Sequence, residues 1–216
     1  MSIDCESSMI RPIRKALEDL HPPTVWVQEY RSGYGIADLV GMVVSDRAME
    51  ARRGRNPSGV NSQRGYSLLA LLHRERCATL ESLARRTALS SNSLQRMLRM
   101  LVQSGLAVEV GRRRYRLTAR GLNPASEIIA VEAKIEKWSH AILQARRYLL
   151  FADRTYVAIT AHAVKRVDRA FLYRHRVGLI GVNSHEAYIV VPAPRVRPRS
   201  LLAHRACAER LFSQAI

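Results

Sequence analysis

Apolar positions along the chain follow two rhythms. Ile10, Ile13, Leu17 and Leu20 recur at helical spacing and predict a helix over 8–20, capped by Ser7 or Ser8. His21-Pro22-Pro23 ends it. Residues 25–30 then alternate as a strand does, Ser32-Gly33-Tyr34-Gly35 reads as a turn, and IADLVGMVV over 36–44 is apolar enough for a buried strand. The same rhythm returns after Asn123-Pro124. It predicts a strand over 128–135, a helix over 137–151, a strand over 155–160, a basic helical stretch over 162–173 and a hairpin of 177–182 with 187–191. A stiff, basic, Pro-flanked stretch over 192–198 and an amphipathic helix over 201–212 follow.

Between these parts the pattern changes. Residues 46–64 are polar and basic, with Gly, Asn and Ser around one Pro, and read as a linker. Helices are then predicted over 65–74, over 80–87 with Thr79 as cap, and from Ser90 or Ser91 to Gln103. In the last of these Leu94, Met97, Leu98, Leu101 and Val102 form a one-sided stripe, and Gly105 stands where a left-handed C-cap is wanted. LAVEV and YRLT alternate as two short strands around Gly111-Arg112-Arg113-Arg114. The helix and strands before the linker cannot bury their faces alone, and the strand–helix–strand unit after Pro124 needs partner strands. The simplest organisation is one α/β domain, residues 1–50 and 122–216, split by an insertion at 63–121 that is reached through a linker at 51–62.

Charge sharpens the picture. Lys and Arg number 35 against 18 Asp and Glu, a formal net charge of +17, with Arg supplying most of the excess. An acidic polymer is the expected partner, and nucleic acid the leading one. Three scattered Cys without a CxxC pair or zinc-spaced His read as reduced thiols of a cytosolic protein. The N-terminal stretch is acidic early and lacks an apolar core, and no apolar run has membrane-spanning length, so neither a signal peptide nor a membrane partner is expected.

The order helix, helix, turn, helix, two-strand ribbon with a basic tip closely resembles the winged helix-turn-helix domain. The resemblance implies a recognition helix whose Asn92, Ser93, Gln95, Arg96 and Arg99 face DNA, and a wing whose Arg112, Arg113 and Arg114 reach phosphate or minor groove.

The remaining anomaly is charge on apolar strands. In IIAVEAKIEKW, Glu132 and Lys134 stand two residues apart and share a face. Asp38 is the same anomaly in IADLVG. If the two strands are neighbours the carboxylates converge, and two convergent carboxylates with water and phosphate oxygens suit Mg²⁺. A Lys beside them can hold a scissile phosphate or help deprotonate a metal-bound water.

ADLV followed much later by VEAK resembles the restriction-endonuclease-like nucleases, the PD-(D/E)xK superfamily, over residues 8–45 and 124–191. The Pro of that name is absent, Ala37 preceding Asp38, and the inserted domain explains the long interval. The resemblance implies an α/β, restriction-endonuclease-like core, with a central mixed sheet flanked by helices and interrupted by the winged helix. It implies Asp38, Glu132 and the Ala133 carbonyl as ligands of Mg²⁺ or Mn²⁺, and Lys134 as the group that positions or activates water. It further implies Glu18 as an accessory acid, with Glu29 as its rival, and Gln144 as a supporting helix residue. The expected function is a metal-dependent DNA endonuclease acting on duplex DNA, as a homodimer where both strands are cut. The alternatives are a nuclease fold without activity, serving as a DNA-binding regulator, and an RNA-directed enzyme or a component of a larger complex. The structural alternatives for the anomaly itself are a plain Glu–Lys salt bridge at a strand end and an Asp38 that caps a turn or accepts backbone hydrogen bonds.

Overall fold

A computed structural model of the chain describes residues 5–21, 24–52 and 62–214. Most of the expected linker at 51–62, and the helix-stopping Pro22 and Pro23, lie outside them. The chain forms two compact units, residues 1–43 with 127–200 and residues 44–126 with 201–216.

The first unit is built on a six-stranded mixed sheet. Its strands are β1 (Thr24–Arg31), β2 (Ile36–Val44), β6 (Ala125–Lys134), β7 (Arg154–Thr160), β8 (Gly178–Val182) and β9 (Ala187–Val191), in the order β1-β2-β6-β7-β8-β9. β6, β7 and β8 are parallel, and β1/β2 and β8/β9 are antiparallel pairs. Parallel neighbours need crossovers. α6 (Trp138–Tyr148) joins β6 to β7, and a 3₁₀ turn (Val164–Arg166) with α7 (Arg169–His175) joins β7 to β8. α1 (Glu6–Glu18) starts two residues earlier than its apolar stripe predicts, because Glu6 and Ser7 add a polar turn that periodicity does not register. Its Met9, Ile10, Ile13 and Leu17 bury against Leu39, Ile129, Val131, Ala133, Tyr156 and Ile180, on one face of the sheet. Strand alternation therefore turns Asp38 and Glu132 to the other face. On β2, Gly41 leaves room for the Trp26 ring, since a Cβ there would stand 2.3 Å from it.

The second unit contains α2 (Asp46–Arg52), α3 (Gln63–Glu75), α4 (Leu80–Thr87), α5 (Ser91–Gln103) and α8 (Leu201–Gln214). Its three-stranded sheet, in the order β3-β5-β4, comprises β3 (Ala78–Thr79), β4 (Ala107–Glu109) and β5 (Arg114–Leu117). Ser62, Thr79 and Ser90 cap α3, α4 and α5 by accepting hydrogen bonds from the N–H groups of Gly65, Ser82 and Ser93. Leu68, Leu69, Leu72, Leu83, Leu94 and Leu98 are among the residues of its core. Gly105 adopts φ +72°, the left-handed conformation expected of a helix-terminating glycine.

Two features depart from the sequence expectation. The stretch after Ser45, read as linker from residue 46, begins with helix α2. The closing helix, assigned to the α/β domain, belongs to the second unit, where Ala206 and Leu202 join its core. Amphipathicity shows that a helix has a face to bury but not which core receives it. Arg52 of α2 and Glu209 of α8 fix this arrangement. Arg52 forms a two-pronged pair with Glu209 at 2.8 and 2.9 Å and donates to the carbonyls of Arg120 and Leu122. Arg205 adds a contact to Glu209 at 2.6 Å. Burial lowers the Arg205 pKa to about 10. Burial alone would raise Glu209, but the two guanidinium groups outweigh it and hold the carboxyl below its usual range.

Glu209→Ala strands two buried guanidinium groups and is expected to destabilise the second unit by about 3–5 kcal/mol. Denaturant titration followed by far-UV circular dichroism measures the loss. Both Trp residues, Trp26 and Trp138, lie in the first unit and report it separately by fluorescence. Since the native Glu209 pKa is depressed, its stabilisation is present above the ordinary carboxylate range and is lost as the pH falls through the native value.

Candidate functional site

β2 and β6 are neighbours in the sheet, and this brings Asp38 to Glu132. Asp38 Oδ2 accepts a hydrogen bond from the Ala133 N–H at 2.7 Å. Lys134, at the end of β6, has its ammonium 3.4 Å from Glu132 Oε1 and hydrogen-bonded to Glu6 Oε2 at 2.8 Å. The structure thus joins three of the groups singled out by sequence and adds a fourth, Glu6.

Glu132 differs from the other buried glutamates. Glu127 is met by Arg154 at 2.8 Å and Glu209 by Arg52 and Arg205. Glu132, only 2% exposed, has no guanidinium partner among the described residues. Its Oε2 instead lies 2.5 Å from the hydroxyl of Tyr148, on the last turn of α6, and that hydroxyl lies 2.6 Å from the Ile36 carbonyl. A phenol carries one proton. The phenol therefore shares that proton between two acceptors, Glu132 Oε2 and the Ile36 carbonyl. Burial raises the Glu132 pKa, the Tyr148 hydrogen bond pulls it back, and the nearby Asp38 charge adds to the rise.

Asp38 is raised too, first by burial and then by the charges of Glu6 and Glu29. Partial burial pulls the Lys134 ammonium down, but its bond to Glu6 and the charges of Glu132 and Asp38 outweigh this and lift its pKa above the ordinary value. Lys134 is therefore a fixed cation at neutral pH. The donor set contains two adjacent carboxylates with hard oxygen atoms, and both stay short of positive charge despite Lys134. That set fits a divalent cation held by two carboxylates and water. No cluster of three or more His, Cys, Asp or Glu able to hold a metal occurs among the described residues.

The other expected residues divide. Glu18 lies on the last turn of α1, paired with Arg14 at 2.7 Å, and roughly 18 Å along the helix from Glu6. The α1 acid in contact with Lys134 is Glu6, which the earlier helix start places there, rather than Glu18. Glu29 lies across the β1/β2 ladder from Asp38, between the pairs Gln28↔Leu39 and Tyr30↔Ala37, with φ +51°. This left-handed residue interrupts the alternation of β1. Trp26 packs with the α1-side core, while the Tyr30 ring meets Phe151 at a tilt, and Phe151 meets Tyr148 in the same way. Gln144 is half-buried on α6 and makes no hydrogen bond to Asp38, Glu132 or Lys134 among the described residues. One turn further on, Tyr148 provides the helix's contact to the site. The sequence marks Tyr148 only as part of an apolar helix face. Ala133 contributes through its N–H.

In the second unit Asn92, Arg96 and Arg99 are exposed on α5, and Gln95 and Ser93 are half-exposed. The Ser93 hydroxyl is engaged by Ser90 at 2.9 Å. Arg112, Arg113 and Arg114 are exposed at the turn between β4 and β5, where Arg113 adopts φ +55° and its N–H bonds to Glu109. A cavity of about 290 Å³ between α3 and α5 is lined by Arg64, Ser93, Arg96, Met97 and Met100 among others.

Because the native Glu132 pKa lies above that of an unfolded glutamate, the folded chain binds more protons between the two values, and stability falls as pH rises through that window. The Tyr148 hydrogen bond opposes the upward shift. Tyr148→Phe is therefore expected to move the Glu132 titration to higher pH, read from its side-chain carbonyl ¹³C resonance. An unchanged midpoint would refute the coupling.

No family model matches the chain, and no curated protein matches it. Among solved structures it is similar to the SPO1766 protein of unknown function from Silicibacter pomeroyi, at 14% identity and a TM-score of 0.46, over 99% of this chain and 88% of that one. No helix among the described residues is long and apolar enough to cross a membrane.

Proposed function

We propose that the protein is a metal-dependent DNA endonuclease of the PD-(D/E)xK type, in which the second unit is a winged helix-turn-helix domain that holds duplex DNA. The observation that carries this reading is the convergence of Asp38, Glu132 and Lys134 at one end of the sheet, from strands whose other charged positions are few. The exposed arginines on α5 and at the β4–β5 turn, within a chain of net charge +17, support DNA as the partner.

In this reading Asp38 and Glu132 hold Mg²⁺ or Mn²⁺, which when bound supplies a Lewis acid and lowers the pKa of water. The Ala133 N–H fixes the Asp38 carboxylate. Tyr148 fixes that of Glu132 and shields it from solvent. Lys134, kept protonated by its acidic neighbours, binds the scissile phosphate and orients the attacking water as a charged donor rather than as a base. Glu6 holds Lys134 in place until an anionic substrate takes over that contact. Cutting both strands calls for two such sites, hence a homodimer on DNA.

A second reading is a nuclease fold without activity that serves as a DNA-binding regulator. The pairing of Lys134 with Glu6 and the lack of a three-residue metal cluster among the described residues favour it.

Plasmid cleavage with Mg²⁺ or Mn²⁺ separates the two. Lys134→Ala and Glu132→Gln are expected to lower the cleavage rate by on the order of 10²-fold or more while DNA binding and its salt dependence persist. Wild-type protein that binds DNA but cuts no form of it, across both metals and a range of pH, would leave the regulator reading standing.

A further inference from the structure

The turn between β1 and β2 exposes apolar surface beside the candidate site. Tyr34 is 54% exposed and Ile36 is 49% exposed, at a position where polar turn residues are the rule. The turn is held by its own hydrogen bonds. The N–H and the hydroxyl of Ser32 both donate to the Gly35 carbonyl, at 3.1 and 3.0 Å, and the Tyr34 N–H donates to the Ser32 hydroxyl at 3.1 Å. Gly33 and Gly35 adopt φ +85° and +141°, which side-chain-bearing residues rarely do, so this turn depends on glycine at both positions. The Tyr34 ring has no hydrogen bond or ring contact among the described residues.

The tip is also tied to the site. Ile36 precedes Asp38 by two residues, shares its strand face, and lies about 7 Å away along β2. Its carbonyl contacts the same phenol that contacts Glu132. Ile36 therefore stands roughly one nucleotide from where a phosphate would bind, with the exposed Tyr34 two residues further out at the tip. Nucleic acid is a polyanion whose bases present flat apolar faces, and it matches both the basic chain and this surface.

We propose that the β1–β2 tip is a base-stacking element, in which Tyr34 and Ile36 receive an unstacked nucleobase next to the phosphate at Asp38, Glu132 and Lys134. This rests on the nuclease reading and narrows its substrate to DNA with an unpaired or extruded base at the cleavage point, such as a flap, bulge or single-stranded segment.

The test uses the full chain with DNA carrying 2-aminopurine in a bulge or flap, in Ca²⁺ to allow binding without turnover, and then cleavage in Mg²⁺. Tyr34→Ala is expected to abolish the 2-aminopurine fluorescence change and to weaken binding to the unpaired-base substrate by between about 5- and 150-fold, while fully paired duplex binding is unchanged. Tyr34→Phe, which keeps the ring, should behave as wild type. An equal fluorescence response in wild type and Tyr34→Ala, or an equal loss on paired and unpaired substrates, overturns the stacking role. Absence of cleavage by wild type while the fluorescence difference persists overturns the nuclease reading alone.

Discussion

Placing a carboxyl group in the interior of a sheet is unfavourable unless something nearby satisfies its oxygens. Glu132 is in that position, and the local structure is organised around satisfying it. Tyr148 closes α6 over one oxygen, and the Lys134 ammonium stands 3.4 Å from the other. The phenol also reaches Ile36, so one side chain links the end of a helix, the start of β2 and the end of β6. Asp38 is fixed by the Ala133 N–H beside it. Elsewhere the chain meets the same problem with arginine, at Glu127 and Glu209, and obtains settled ion pairs. At Glu132 it uses a neutral donor and a lysine shared with Glu6, which leaves charge uncompensated and the carboxyl groups of Asp38 and Glu132 easy to protonate. That difference sets Asp38 and Glu132 apart from the carboxylates that arginine neutralises.

How much of this was legible in the sequence depended on the range of the signal. Strand alternation alone put Glu132 and Lys134 on one face, and the Gly-rich turn with two apolar runs gave β1 and β2 nearly residue for residue. Capping serines and threonines marked the starts of α4 and α5 because the side-chain bond that makes the cap is local. Glu6 was missed because hydrophobic periodicity says nothing about a polar first turn. Tyr148 was read as an apolar ring, and only the fold shows where its hydroxyl points. β3, with two residues, has no pattern long enough to read. The destination of α8 depended on partners more than a hundred residues upstream, and no local rule reaches that far.

Net charge also changes meaning once positions are known. Arg52 and Arg205 count toward +17, yet both are buried and spent on Glu209 and on backbone carbonyls. The arginines of α5 and the β4–β5 turn are exposed and available. A basic composition therefore combines two populations, one buried that holds the second unit together and one exposed on its surface.

The division of the chain into interleaved units governs how it emerges from the ribosome. The first unit needs β6 to β9 before its sheet is complete, so residues 1–43 must wait through the whole of 44–126 for their partners. The second unit lies within that stretch but lacks α8, and Arg52 stays without Glu209 until α8 appears. Neither core can close early. Until residues 127–214 have been made, the apolar faces of β2 and α3 lack the partners that cover them, the kind of exposure from which aggregation starts.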